Sequence, residues 1–168
     1  MAKPIEPRAN NAECERIIRT YPVGILVMAG GGEPYAVPMN HAYADGRLYF
    51  HCALTGRKLD MIRANPATCY VVNGFFGKPQ DLADARKCHG NWESVIAHGI
   101  SRVIEDKNEL RDAFLIFGRY YNPDFELSGD ALDTTSAITL EVDSMTARRE
   151  IPGEGVEYWS WARGAENA

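Results

Sequence analysis

The hydrophobic and polar positions of this chain alternate in several separate segments, and that alternation predicts strands. From Arg47 onward, Leu48, Phe50 and Cys52 share one face while Arg47, Tyr49 and His51 share the other. Ala137–Val142 repeats the pattern with Ile138, Leu140 and Val142 inward, and Met145–Glu150 is positioned to continue it. Trp92–Glu105 reads as a long strand, with Ser94, Ile96 and His98 on one face, Val95 and Ala97 on the other, and a break at Gly99. Val23–Ala29 is a nearly continuous apolar run, which predicts a buried strand. Gly30-Gly31-Gly32 then turns the chain into a returning strand over Pro34–Tyr43. Pro38 interrupts that return: it has no N–H for the ladder and belongs at an edge or bulge, where a ligand can approach. Asp45-Gly46 is a second hairpin signal, and Ala67–Phe76, rich in Val, Tyr and Phe, is a further strand.

Three segments have helical spacing instead. Asn10–Thr20 gathers Cys14, Ile17 and Ile18 on one side, and a second helix runs from a Thr55 cap to the stop at Asn65-Pro66, with Leu59 and Ile62 on one face. Asp106 and Glu109 form a capping box for a third, whose stripe is Leu110, Phe114 and Phe117 and whose end is Asn122-Pro123. Lys78–Asn91 reads as a surface excursion with a helical turn around Leu82–Lys87, and Asp124–Ser136 as a polar connection. Six or so strands joined mostly by short turns, with two or three helices, predict a mainly β fold: a small β-barrel with flanking helices. The expectation is one domain over residues 1–168. Residues 151–168 form an aromatic-containing extension, whose Tyr158, Trp159 and Trp161 are expected to cover the chain's own core, a second subunit or a planar ligand.

Composition narrows the function. The 168 residues are 45% apolar and 24% charged, ordinary for a globular domain. A net charge of -5 argues against a nucleic-acid surface or an anionic-membrane patch. With no apolar run of about 18 residues and no signal-peptide core at the start, a cytoplasmic protein is expected. Cys14, Cys52, Cys69 and Cys88 form no CxxC pair and are expected as reduced, buried thiols. Cys52 beside His51 and Cys88 beside His89 suggest ligands, but neighbours on a strand point to opposite faces, so no metal site is expected. His98, on an alternating strand, reads as a satisfied barrel histidine.

The chemistry concentrates where the strand ending at His51 and Cys52 passes into the second helix. Arg57 and Lys58 fall in that helix's first turn, where free N–H groups and the positive dipole end attract anions and disfavour cations. A phosphate in front of them would resolve the conflict; side chains turned to water are the alternative. The glycine triplet offers no such site, because it lacks the lysine and helix of a phosphate loop.

Four motifs in succession carry a resemblance. Pro34-Tyr-Ala-Val-Pro-Met-Asn40, Asp45-Gly46-Arg-Leu-Tyr-Phe-His51, Gly56-Arg57-Lys58 and Asn65-Pro66 resemble the pyridoxamine-phosphate-oxidase-like, flavin-binding split-barrel superfamily, nearest its nitroimidazole-resistance (Nim) branch. Trp92-Glu93-Ser94-Val95 is similar to the family's second signature, Tyr-Arg-Ser-Val, with Trp and Glu in place of its first two residues. The resemblance spans residues 10 to 150 and implies a split β-barrel and an FMN-binding homodimer with cofactors between subunits. It implies phosphate contacts at Arg57 and Lys58, a flavin-lining strand at Pro38, Met39 and Asn40, and a facing strand at Ser94 and Val95. His51 matches a histidine near the flavin in the Nim branch and is the candidate for proton transfer or substrate contact, with a structural hydrogen bond as the equal alternative. The implied activity is an FMN-dependent oxidoreductase passing electrons to a small molecule, a nitro-aromatic being one candidate; a flavin- or haem-binding protein without turnover is the alternative.

Overall fold

The computed structural model describes residues 8–30, 32–76, 91–151 and 154–164. In order these form β1 (Arg8–Ala9), α1 (Asn11–Thr20), β2 (Val23–Gly30), β3 (Glu33–Asn40), β4 (Ala42–Ala44), β5 (Arg47–Cys52), α2 (Arg57–Ala64), β6 (Ala67–Phe75), β7 (Trp92–Val103), α3 (Lys107–Tyr121), α4 (Ala131–Thr134), β8 (Ser136–Ile151) and β9 (Gly155–Ala162). The strands join in the order β1-β9-β8-β7-β6-β2-β3, with β5 bridging β4 and β8. One long strand organises this sheet. Along one edge of β8 lies β7; along the other, Ser136–Glu141 pairs with β5 and Ser144–Ile151 pairs with β9.

β3 and β4 are a single stretch of chain bent at His41, paired to β2 before the bend and to β5 after it, so the sheet curls into a barrel. Closure is incomplete. β4 pairs with Arg47–Tyr49, and beyond it the end of β5 and the outer edge of β3 have no strand partner among the described residues. The barrel is therefore split, as the resemblance implied. Its interior is filled by Leu26, Phe50, Tyr70, Val95, Leu140 and their neighbours, and Cys14, Ile17 and Ile18 of α1 pack against them.

A buried carboxylate ties α1 to the sheet. Glu93, 2% exposed, accepts two hydrogen bonds from Arg16 (3.1 and 2.6 Å), one from the Tyr21 hydroxyl (3.1 Å) and one from Arg149 (3.2 Å). Burial alone would raise its pKa; the bonds and charge of Arg16, with Tyr21 and Arg149, outweigh it and hold the carboxyl below its ordinary value. This accounts for the glutamate in the second signature: it serves the inward face, away from Ser94.

Several expectations are corrected. β2 alternates: Leu26 and Met28 are buried, whereas Val23 and Ile25 are 45% and 41% exposed on the outer face. Pro38 does not interrupt β3, which pairs with β2 from Glu33 to Asn40. Gly56, not Thr55, caps α2. The Asp106 carboxylate accepts from the Asn108 and Glu109 N–H groups, but Glu109 pairs with Arg102 instead of closing the box. Within the aromatic segment, Gly155–Ala162 form β9, a strand of the sheet, and Trp159 covers the chain's own core, the first of the expected alternatives. His98 is exposed on the outer face, not enclosed in the barrel. The excursion at 78–91 and its helical turn, Cys88, His89 and Gly31 lie outside the described residues, apart from Asn91.

His41, at the bend, is fully buried. Its Nε2 lies 3.0 Å from the Ile18 carbonyl and its Nδ1 2.9 Å from the Tyr70 hydroxyl, which is 2.6 Å from the Met39 carbonyl. Gly24 makes room for this reach, since a Cβ there would sit 2.6 Å from the Tyr70 ring. Burial, partly offset by the bond to Ile18, pushes the imidazole from 6.5 down to about 4, so it is neutral at pH 7. The unfolded chain therefore binds this proton more readily. The stability His41 contributes is complete above about pH 6.5 and falls by about 3 kcal/mol toward pH 4. His41→Gln should flatten that part of the stability curve in urea titrations between pH 7 and 4; an unchanged slope would assign it to other groups.

Candidate functional site

The unpaired edge of β3 is the starting point. The His41 N–H points across to the Pro22 carbonyl, and in an antiparallel ladder such positions alternate. Met39, Val37 and Tyr35 therefore turn their backbone groups toward β2, while Asn40, Pro38 and Ala36 turn theirs toward the split. Pro34 and Pro38 both occupy positions of the second kind, so their missing N–H groups cost the ladder nothing. The side chains divide too. Met39 is 8% exposed and packs in the core, whereas Pro38 and Asn40 lie exposed. Met39 therefore offers a ligand at the split neither its side chain nor its backbone polar groups, and the ligand-facing backbone of this strand is that of Pro38 and Asn40.

α2 begins at one end of this edge. Gly56 has φ +134°, a conformation closed to L side chains, and no side chain caps the helix. The first turn closes from the Leu59 and Asp60 N–H groups onto the Gly56 carbonyl, which leaves the N–H groups of Arg57 and Lys58 facing out. Arg57 reaches back to β3, with its guanidinium 4.7 Å from the Tyr35 ring centre and 3.0 Å from the Glu33 carboxylate. The expected anion is, for Arg57, partly a carboxylate of the chain itself. Both partners are more than half exposed, so the pair is weak and exchangeable. No ion pair holds Lys58 among the described residues. An uncapped helix start with two cations fits a phosphate group.

His51 stands at the end of β5, on the other side of the split. Its ring meets Phe117 of α3 edge-on at 4.6 Å, and Phe117 in turn meets Tyr121 at 5.3 Å. Burial against this wall lowers the imidazole pKa, and the Lys58 charge lowers it further, so His51 is neutral at pH 7. Burial raises the neighbouring Cys52 thiol against the opposing pull of Lys58 and a hydrogen bond with Ser136. Phe117 read as core from its spacing; in the fold it is half-buried and forms the wall of the cleft.

Ser94 and Val95 lie elsewhere. Val95 is fully buried, its side chain inside the barrel. Ser94 is on the outer face, in a row with Asn73 of β6, Arg148 of β8 and Tyr158 of β9. Asn40, opposite Val23, ends the same row about three strand spacings away, ~14 Å. The next row, Pro38, Ile25, Val71, Ile96 and Thr146, is mostly apolar. One chain therefore assembles Arg57, Lys58, His51 and the β3 edge into a cleft, and presents Ser94 on a separate face. Sequence reading missed Glu33 and Arg148, which are ordinary charged residues on strands until the register shows their neighbours.

Residues 10–149 match the family described as pyridoxamine 5'-phosphate oxidase, and the chain belongs to that family. Its mainly β split barrel recurs in solved structures. A protein named for 5-nitroimidazole antibiotic resistance, from Bacteroides thetaiotaomicron VPI-5482, is 26% identical, with a TM-score of 0.71 over 90% of this chain and 86% of that one. An FAD-binding protein from Mesorhizobium loti is 23% identical, with a TM-score of 0.63 over 84% of this chain and 96% of that one. An FAD- and haem-binding protein from Mycobacterium smegmatis is 14% identical, with a TM-score of 0.73 over 91% and 82%. No curated protein matches the chain.

The Lys58–His51 proximity is directly testable. By NMR titration His51 should protonate below its ordinary 6.5, and Lys58→Met, by removing a like charge, should move its pKa upward. An unmoved pKa would separate the two side chains.

Proposed function

We propose that the chain binds flavin mononucleotide between two copies of itself and acts as an FMN-dependent oxidoreductase on a small planar acceptor. The observation that carries this reading is the start of α2: uncapped, flanked by Arg57 and Lys58, and set at the end of an unpaired strand edge. Arg57 and Lys58 hold the phosphate, with Glu33 giving way. The backbone of Pro38 and Asn40 orients the ring, and Ser94 meets it from the outer face of the second copy. The bound flavin supplies hydride or electron transfer. His51, neutral at pH 7, donates or accepts a hydrogen bond, or a proton, at the acceptor. Phe117 and Tyr121 keep that side of the cleft partly dry.

The relative named for 5-nitroimidazole resistance supports a nitro-aromatic acceptor, and the FAD-binding relatives support a flavin. The relative that binds FAD and haem supports a second reading, a flavin or haem carrier without turnover. Dimerisation is supported by Val23, Ile25 and Ile100, each more than 40% exposed on the outer face.

An absorption spectrum taken after loading with FMN and gel filtration tests the reading. Retained flavin bands, reoxidised faster by a nitro-aromatic than by oxygen alone, support the oxidoreductase; flavin without such acceleration, or a Soret band, supports the carrier. Arg57→Ala with Lys58→Ala should weaken FMN by about 3 kcal/mol, roughly a hundredfold, and leave riboflavin unaffected. Equal losses for both ligands would remove the phosphate assignment. Ile25→Asp should yield monomers by light scattering; an unchanged dimer would move the interface elsewhere.

A further inference from the structure

Arg148 and Arg149 are consecutive on β8 and point to opposite faces of the sheet. Arg149 turns inward to Glu93. Arg148 turns outward, between Ser94 of β7 and Tyr158 of β9 in the cross-strand register. Its guanidinium lies 4.7 Å from the Trp92 ring centre and 5.5 Å from that of Tyr158, and one terminal nitrogen donates to Glu150 at 2.8 Å. The Nε atom is buried and has no hydrogen-bond partner among the described residues. Two aromatic rings and a carboxylate thus fix a cation while one of its donors is left without an acceptor. With Nε enclosed, the guanidinium's terminal N–H groups are what Arg148 presents outward from this clamp.

We propose that Arg148 donates to the carbonyl edge of the bound flavin's pyrimidine ring and favours the reduced cofactor over the oxidised one. This rests on the flavin reading above. Arg148 is the direct cross-strand neighbour of Ser94, the side chain assigned to the ring. The pyrimidine edge carries acceptors that a guanidinium fork matches. Negative charge gathers at that edge on reduction, so a fixed cation beside it binds the reduced form more tightly. Glu150 tempers the charge without reaching Nε. The rings do the positioning, since cation–π contacts on Trp92 and Tyr158 hold the guanidinium where a free arginine would wander.

The test is a spectroscopic redox titration of FMN-loaded wild type, Arg148→Met and Arg148→Lys. Arg148→Met should cost the reduced flavin about tenfold more affinity than the oxidised flavin, a midpoint potential about 30 mV more negative. Arg148→Lys keeps the charge and should keep most of the reduced-state preference. A potential unchanged in Arg148→Met, with flavin still bound, overturns the proposal and leaves the flavin reading standing. Wild type that retains no flavin overturns the reading itself. Should Arg148→Met fail to fold, Trp92→Leu, which opens the clamp without removing the charge, is expected to lower the potential in the same direction, and no shift in it counts against the proposal.

Discussion

β8 cannot keep one neighbour along both edges, and the rest of the structure follows from that constraint. A twisted sheet carries a sixteen-residue strand away from a short partner, so β5 lets go at Glu141 and β9 takes over at Ser144. The handover is fixed from both sides: the Val142 N–H bonds to the Gly46 carbonyl in the β4–β5 turn, and Arg163, just past β9, donates to the Val142 carbonyl. β7 runs past the bend with its register shifted by one between His98 and Gly99, where Asp143 of β8 is the extra, bulged residue. At Gly99 a Cβ would lie 1.9 Å from the Glu141 carbonyl oxygen, so the strands approach this closely because the residue is glycine. Once β8 has two partners on one edge, β5 ends a curled sheet, and the cleft at its end is the gap that curling leaves.

Polar groups buried at two points hold that gap open in a defined shape. Glu93 gathers Arg16 of α1, Arg149 of β8 and Tyr21 beyond α1, so the helix cannot slide along the barrel without stranding a buried charge. His41 and Tyr70 do the same for the bend between β3 and β4. With the imidazole neutral and its Nε2 hydrogen given to Ile18, the Tyr70 hydroxyl has one hydrogen for two acceptors, Met39 and His41. That shared bond fixes the Met39 peptide from inside the barrel. The backbone of the next residue, Asn40, is thereby aimed outward to the split.

Elements with a local signal were legible in the sequence. The alternation of Leu48, Phe50 and Cys52, the Asp45-Gly46 turn with φ values of 50° and 71°, and the Gly99 break were all readable, because each reports on neighbours a few residues away. β9 was obscured because nothing local in Gly155–Ala162 records its partner, the second half of β8, which lies a turn away in the register and not in the pattern. The two faces of β2 were hidden by an apolar run that looks uniform although its outer half is exposed. The placement of Arg57 and Lys58 in the first turn of α2 was readable from the passage of strand into helix. Glu33, Arg148 and the role of Phe117 depend on register between distant strands and on how α3 docks, and no local pattern records either.

The distribution of polarity on the outer face bears on how a second copy and a cofactor could share it. Along the row of Pro38, Ile25, Val71 and Ile96 the face is apolar, a composition suited to excluding water against another surface. One step along, the row of Asn40, Val23, Asn73, Ser94 and Arg148 is polar apart from Val23, with the cation held by rings instead of solvent. A protein partner alone would be met as well by continuing the apolar row. A planar ligand with an apolar face and acceptors on one edge matches the border between the two rows, lying against the first and bonded to the second. The cleft supplies the remaining requirement, an anion anchor at α2, but on a different part of the same chain. On the proposed reading the two halves would become one site where two chains meet, and the partition of polarity on a single subunit is what that reading requires.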